Sequence, residues 1–155
     1  MRDGDARKPS FAGLRSASRR ASVSARGASV KRHTRCEVAL RKELHRRGLR
    51  FRLHGEGLPG CPDIVFAKSR LAVFCDGDFW HGRDLEQRLA KLRQGHNPQY
   101  WVAKVRRNVE RDQARAWSLQ VSGWTVLRLW ETDILRDVAA AADAVEAALR
   151  CSSVR

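Results

Sequence analysis

Four side chains in the middle of the chain have the types and spacing for hydrolytic chemistry on a phosphate ester. Asp63 follows Pro62 at the head of the run PDIVF, and Asp76, Asp78 and His81 fall together in CDGDFWHGRD, at the end of the run LAVF. Cleaving a phosphodiester requires charge neutralisation around phosphorus and an activated water, and a carboxylate-held divalent cation beside a titratable histidine supplies both. The charge balance points to the same substrate class. Lys and Arg number 31 against 17 Asp and Glu, a net charge of +14 with His neutral, so a polyanion is the expected partner. Taken singly, the residues have plainer readings: Pro62-Asp63 suits a turn before a strand, Asp76-Gly77 is a common turn dipeptide, and His81 could be a surface histidine. Only a fold that brings them together gives them joint meaning.

The flanking periodicities predict such a fold. CEVALRKELHRR predicts a helix over 36–47, with Thr34 or Cys36 at its start, Val38, Leu40 and Leu44 on one stripe, and Gly48 as its stop. LRFRLH alternates apolar and basic residues as a half-buried strand does, GEGLPG is a loop, and PDIVF and LAVF read as adjacent strands joined tightly through Ala67 to Arg70. A short helix DLEQRLAKLR, a long helix from Pro98 to Gly123, a strand WTVLRLW and an Ala-rich closing helix TDILRDVAAAADAVEAAL complete the order α-β-β-β-(α)-α-β-α. On the long helix, Val102, Val105, Val109, Ala116 and Leu119 form the expected core stripe. Lys104, Asn108, Arg111 and Arg115 form a polar stripe, and Asp112 is expected to pair with Arg111 or Arg115. Trp101, Trp117, Trp124 and Trp130 are expected in the core. Adjacent strands would carry Asp63 and Asp76 to one sheet edge. The implied fold class is α/β, a central mixed sheet of about four strands flanked by helices, in the order of a restriction-endonuclease-like core.

At 155 residues the chain is long enough for one core, and 43% hydrophobic residues with five Trp supply the apolar area to fill it. The positive charge is uneven: residues 1–35 hold ten Lys and Arg against two Asp, together with six Ser and no Trp. This composition predicts a basic, disordered arm over 1–23 ahead of a folded domain over 24–150. No apolar run approaches the roughly 20 residues of a membrane span. No membrane partner is therefore expected, and the expected location is cytoplasmic, on the nucleoid. Cys36, Cys61, Cys75 and Cys151 are scattered without a CxxC pair and are expected as free thiols.

In order and spacing, HTRCE, RGLRFRLH, LPGCPDIVF, LAVFCDGDFWHGRD, YWVAKVRRNVERD and GWTVLRLWE resemble the very short patch repair endonucleases, which nick DNA next to a T:G mismatch. The resemblance covers roughly residues 24–135 and implies a role for each matching position. Asp63 would be the metal-binding carboxylate, with the backbone carbonyl of Cys75 as a second ligand and waters completing a Mg2+ shell. His81 would act on the attacking or leaving oxygen. Asp76, where the best-known relatives have a histidine, would be a second carboxylate, on the metal or polarising the water. Glu37 would orient a water of the cation's hydration shell. Phe79 and Trp80 match an aromatic wedge inserted into the duplex, and Lys104 and Asn108 fall where the family reads the mismatched pair, with Arg111 continuing the DNA-facing stripe. Relatives with a structural zinc carry Cys at the positions of Asp78 and Thr132. Those thiols are missing here, so no structural zinc is expected, and Asp78 is expected to pair with Arg83 to hold the same loop.

The function implied is a monomeric, Mg2+-dependent nicking endonuclease for mismatched double-stranded DNA, acting in repair and linked to a DNA cytosine methyltransferase. Two alternatives stay open: a restriction-type or general nicking endonuclease of the same fold, and a basic DNA-binding module without catalysis. A binding module gains nothing from carboxylates that face phosphate.

Overall fold

The structure, a computed structural model, describes residues 32–78, 81 and 83–152. The expected arm over 1–23 and the wedge pair Phe79 and Trp80 lie outside the described residues. Helix α1 (Arg35–Arg46) starts on Thr34, whose Oγ1 accepts from the Glu37 amide and donates to Glu37 Oε1 at 2.9 Å. This reciprocal cap uses the Thr-x-x-Glu spacing and fixes the Glu37 side chain at the helix start. Four strands follow in one sheet of order β1-β2-β3-β4: β1 (Arg52–Leu53), β2 (Ile64–Phe66), β3 (Leu71–Asp76) and β4 (Thr125–Trp130). Between β3 and β4 come α2 (Leu85–Arg93) and α3 (Pro98–Val121), and the chain closes with α4 (Glu131–Arg136) and α5 (Val138–Ser152).

The β1/β2 and β2/β3 pairs are antiparallel and the β3/β4 pair is parallel, the mixed α/β sheet that the sequence implies. Both faces are covered, so β2 and most of β3 run apolar without alternation. On one face Ile64, Phe66, Leu71 and Val73 pack with Leu40 and Leu44 of α1, Ile134 of α4 and Ala142 and Val145 of α5. On the other, Ala72 and Phe74 pack with Leu119 of α3 and with Trp124.

Three expectations need correction. The strand expected over 49–54 is paired only at Arg52 and Leu53, because Phe51 turns into the core against Phe66 (ring centroids 5.7 Å apart) and His54 takes a left-handed φ of +48°. The single closing helix is two, broken at Asp137 (φ −150°, ψ 89°), whose Oδ1 accepts from the Ala140 amide and so begins α5 afresh. Trp117 is 69% exposed instead of core, because the fully buried line of α3 runs through Val105 and Leu119; Trp101, Trp124 and Trp130 are half-buried.

Leu40 is fully buried where α1 meets the sheet. Leu40→Ala is expected to lower the free energy of unfolding by about 2–5 kcal/mol, read as an earlier urea midpoint at unchanged slope. A loss below about 1 kcal/mol would contradict this packing.

Candidate active site

The site forms where β2 and β3 part company. Their register pairs Ile64 with Val73, but Pro62 has no amide hydrogen and its carbonyl already accepts from Gly55. The Cys75 amide therefore takes a side-chain acceptor, Asp63 Oδ2, at 2.7 Å. That bond holds the Asp63 carboxylate at the mouth between the strands.

One residue on, Asp76 ends β3 and is 3% exposed. The parallel register sets Arg128 of β4 opposite Phe74, so Phe74, Asp76 and Arg128 share a face by strand alternation. The guanidinium lies over the Phe74 ring, 4.9 Å from its centroid, and donates twice to Asp76, at 2.5 Å from Nε and 2.8 Å from Nη2. Helix α3 adds a third acid. Val105, Asp112 and Leu119 are seven residues apart, and the turn that carries the two apolar residues into the core carries Asp112 into the site at 8% exposure. Its Oδ2 lies 2.6 Å from His81 Nδ1, while Asp76 Oδ1 lies 3.6 Å from the same nitrogen. With a carboxylate on Nδ1, that nitrogen carries the hydrogen and Nε2 is left to exchange a proton.

Glu37, 2% exposed, comes from α1. Its Oε2 accepts from Arg41 Nη2 at 2.6 Å and from the His33 amide at 3.0 Å. His54, at the end of β1, completes the group: one ligand atom each from Glu37, His54 and Asp63 lie within 4.8 Å of one another. His54 Nε2 is buried and has no partner among the described residues. Glu37, His54, Asp63, Asp76, His81 and Asp112 all line one cleft of about 890 Å³, with Arg128 on its wall.

The electrostatics separate these acids. Burial pushes Asp63 up to about 6, with the charges of Glu37 and Asp76 adding to the rise against the Cys75 hydrogen bond. Burial would raise Asp112 too, but the His81 hydrogen bond and the charges of His81, Arg111 and Arg128 hold it below the usual carboxylate range. Burial, then the positive charges of Arg41 and Arg32, holds His54 below its usual value. Burial also pushes the Cys75 thiol well up, leaving it neutral. Glu37 has Arg41, Asp76 has Arg128 and Asp112 has Arg111 at 3.4 Å; Asp63 alone of the four has no cationic partner within ion-pair distance among the described residues. Its neighbours offer carboxylate, imidazole and carbonyl donors, which is a donor set suited to a divalent cation.

Beside the cleft, Asp78 accepts from the Thr132 amide and hydroxyl and pairs with Arg83 at 3.2 Å, the expected ion pair, and Arg83 also reaches Asp133 at 3.0 Å. Arg111 lines the cleft and touches Asp112 at 3.4 Å. Lys104 and Asn108 lie two turns and one turn before Asp112 along α3, outside the cleft lining, with Lys104 Nζ 5.1 Å from the centroid of the Trp101 ring.

Residues 14–87 match the family described as DNA mismatch endonuclease Vsr. The type II nicking enzyme V.NmeDIP of Neisseria meningitidis serogroup C is 42% identical over 117 residues, 76% of this chain and 78% of that protein. The chain belongs to the Vsr family. Two further relatives agree: the type II nicking enzyme V.XorIIP of Xanthomonas oryzae pv. oryzae, 42% identical over 103 residues (66% of this chain, 74% of that protein), and the DNA mismatch endonuclease Vsr of Escherichia coli K12, 38% identical over 100 residues (64% and 62%). As a Vsr-family protein the chain is a DNA endonuclease, a phosphodiester hydrolase. Among the described residues no helix is long and apolar enough to cross a membrane.

Sequence reasoning missed three of the side chains that line this cleft, and each left a signal. Asp112 occupies a position of the apolar stripe of its helix, Arg128 is the one charge inside the apolar strand TVLRLW, and His54 ends an alternating run immediately before Gly55.

Two outcomes follow from the charges. Arg128→Met leaves Asp76 buried without its partner and is expected to cost about 2–3 kcal/mol, below the roughly 3–5 kcal/mol of a fully buried pair because the Arg128 side chain is 28% exposed. Restoration of most of that loss by adding Asp76→Asn in a denaturation cycle would confirm the pair. Asp63 titrates at about 6 in the fold against about 4 unfolded, so its contribution to stability is complete below about pH 4 and is lost as pH rises through about 6. In chelator, the melting temperature of Asp63→Asn should therefore gain on wild type between about pH 5 and about pH 7. A difference that does not change with pH would refute the buried, unpaired carboxylate.

Proposed function

We propose that this protein nicks one strand of mismatched double-stranded DNA, with T:G as the mismatch, by Mg2+-dependent hydrolysis. One observation carries the proposal: in a cluster of four withdrawn carboxylates, Asp63 alone lacks a cationic side chain among the described residues, and it faces a cleft with a histidine already oriented by an acid. The names of the relatives, nicking enzymes and mismatch endonuclease, supply the substrate. A divalent cation bound there would neutralise charge on the scissile phosphate and acidify water. Asp63 and the Cys75 carbonyl would hold it, and waters would complete the oxygen shell that Mg2+ prefers.

The remaining residues have work of their own. Glu37 Oε1 accepts from Thr34 and keeps a lone pair with which to orient a water. His81 takes a proton from the attacking water or returns one to the leaving oxygen through Nε2, while Asp112 fixes the tautomer and stabilises the imidazolium. Asp76, with both oxygens on Arg128, acts by holding that guanidinium on the cleft wall beside the place a phosphate would take. Phe79 and Trp80 serve as the wedge, Lys104, Asn108 and Arg111 contact the mismatched site, and the basic arm over 1–23 makes nonspecific phosphate contacts. The Asp78 clamp to Thr132 and Arg83 holds its loop without a structural zinc. The protein acts as a monomer on the nucleoid, in functional association with a DNA cytosine methyltransferase.

The test is a nicking assay with Mg2+ on T:G, other mismatched and fully paired duplexes, using wild type and Asp63→Ala, after analysis of the purified protein for zinc. Wild type is expected to nick the T:G duplex, with no stoichiometric zinc. Asp63→Ala should lose on the order of 10³-fold or more, the equivalent of several kcal/mol of charge stabilisation. Equal cutting of paired and mismatched duplexes would favour a general nicking enzyme, and equal activity of the two proteins would overturn the catalytic assignment.

A further inference from the structure

We infer that His54 is an additional ligand of the metal at Asp63, giving this centre a nitrogen donor and a preference for transition-metal dications such as Mn2+ over Mg2+. The inference rests on the placement of a cation at Asp63 and adds a donor to it.

Three observations converge on the His54 ring. First, its ligand atom, one oxygen of Glu37 and one of Asp63 all lie within 4.8 Å of one another, drawn from the end of β1, from α1 and from the start of β2. Second, Nε2 is buried without a hydrogen-bond partner among the described residues, although the residue as a whole is only partly buried. A ring whose sole role was to fill space would turn that nitrogen to water, because a buried, unpaired polar atom is costly. Third, the backbone holds the ring where it is. His54 sits at φ +48°, a region that non-glycine residues seldom occupy, and it is locked there by its amide donating to the Asp63 carbonyl at 3.1 Å and by Gly55 donating to the Pro62 carbonyl at 2.8 Å. The strained turn is thus tied to the very strand that carries Asp63.

The other two donors are not equivalent to it. Glu37 already accepts from Arg41, the His33 amide and Thr34, which leaves it better suited to a water than to a cation. Asp63 has one oxygen on the Cys75 amide and the other without a partner among the described residues. The open positions are therefore one carboxylate oxygen and one imidazole nitrogen. Imidazole adds little for Mg2+, a hard ion that keeps its waters, and much for first-row transition metals.

The experiment uses full-length, chelator-stripped protein in four forms: wild type, H54Q, H54D and D63N. Mn2+ binding is followed by the loss of the free-ion paramagnetic resonance signal, Mg2+ binding by competition, and imidazole ligation by nitrogen-14 modulation of the electron spin echo of bound Mn2+. Wild type should show the nitrogen modulation. H54Q should lose it and bind Mn2+ roughly tenfold or more weakly, with a much smaller change for Mg2+. H54D, which offers oxygen in place of nitrogen, should bind Mn2+ without the modulation and narrow its preference over Mg2+. Absence of the modulation in wild type overturns the inference whether or not the variants fold, and so does an H54Q protein that keeps both modulation and affinity. D63N separates the two levels of the argument. Mn2+ binding lost in D63N but untouched in H54Q rejects His54 alone, whereas binding untouched in D63N rejects the metal site itself.

Discussion

The structure depends on how buried negative charge is compensated at the open end of the sheet. Glu37, Asp63, Asp76 and Asp112 converge on one cleft, each withdrawn from most contact with water. A carboxylate in that position is tolerated only if donors replace its hydration, and removal of one partner of a buried pair costs more than the pair contributes. Three of the four acids are matched by cationic side chains at short range. Asp63 is matched only by a backbone amide, and burial, reinforced by the charges of Glu37 and Asp76, raises its pKa to about 6 against that bond.

The same accounting ties elements together through two of the three pairs. The Glu37–Arg41 pair spans one turn of α1, the Asp76–Arg128 pair joins the two parallel strands, and the Asp112–His81 pair ties α3 to the loop after β3. The last two pairs are satisfied only when their elements are in register, so the polar cluster helps specify the arrangement of helix α3 and sheet that the apolar layers stabilise. A one-residue slip of β4 against β3 would turn Arg128 to the other face and leave Asp76 buried beside apolar side chains.

Much of this was legible in the sequence, for reasons that differ by residue. Asp63, Asp76 and His81 stand at strand ends flanked by Pro and Gly, so alternation and turn chemistry locate them without knowledge of the tertiary fold. The strands followed from apolar runs too short for helices, and the mixed sheet from the restriction-endonuclease-like order of the elements. The length of β1 did not, because the alternation of LRFRLH is continuous and only tertiary contact turns Phe51 into the core. Asp137 concealed a helix break, since an acid in an Ala-rich helix reads as a solvent-facing residue until its side chain is seen on the Ala140 amide. Arg128, His54 and the His81 partnership of Asp112 depend on which strand or helix lies alongside, information that no local pattern contains. The relevant signal was a charged residue where periodicity called for an apolar one, and it becomes readable only when such exceptions are taken as a set.

The net charge of +14 takes on a different meaning once the cleft is described. Among the described residues five arginines and five carboxylates line it, so that lining is balanced in formal charge, with histidines neutral. The net charge of +14 is therefore not carried by these lining residues, and residues 1–31 alone contribute +6, eight Lys and Arg against two Asp. Charge beyond the described lining therefore supplies the attraction for a DNA backbone, which is sequence-independent and weakened by salt. At the cleft itself an approaching phosphate meets no net attraction, and the unpaired Asp63 opposes it whenever that carboxyl is ionised. A divalent cation held at Asp63, as proposed, would reverse that sign there. On that proposal binding and cutting are governed by different charges: duplex held at the surface would become a substrate only where the cleft has been made locally positive, while Glu37, Asp76 and Asp112 already have arginines at short range.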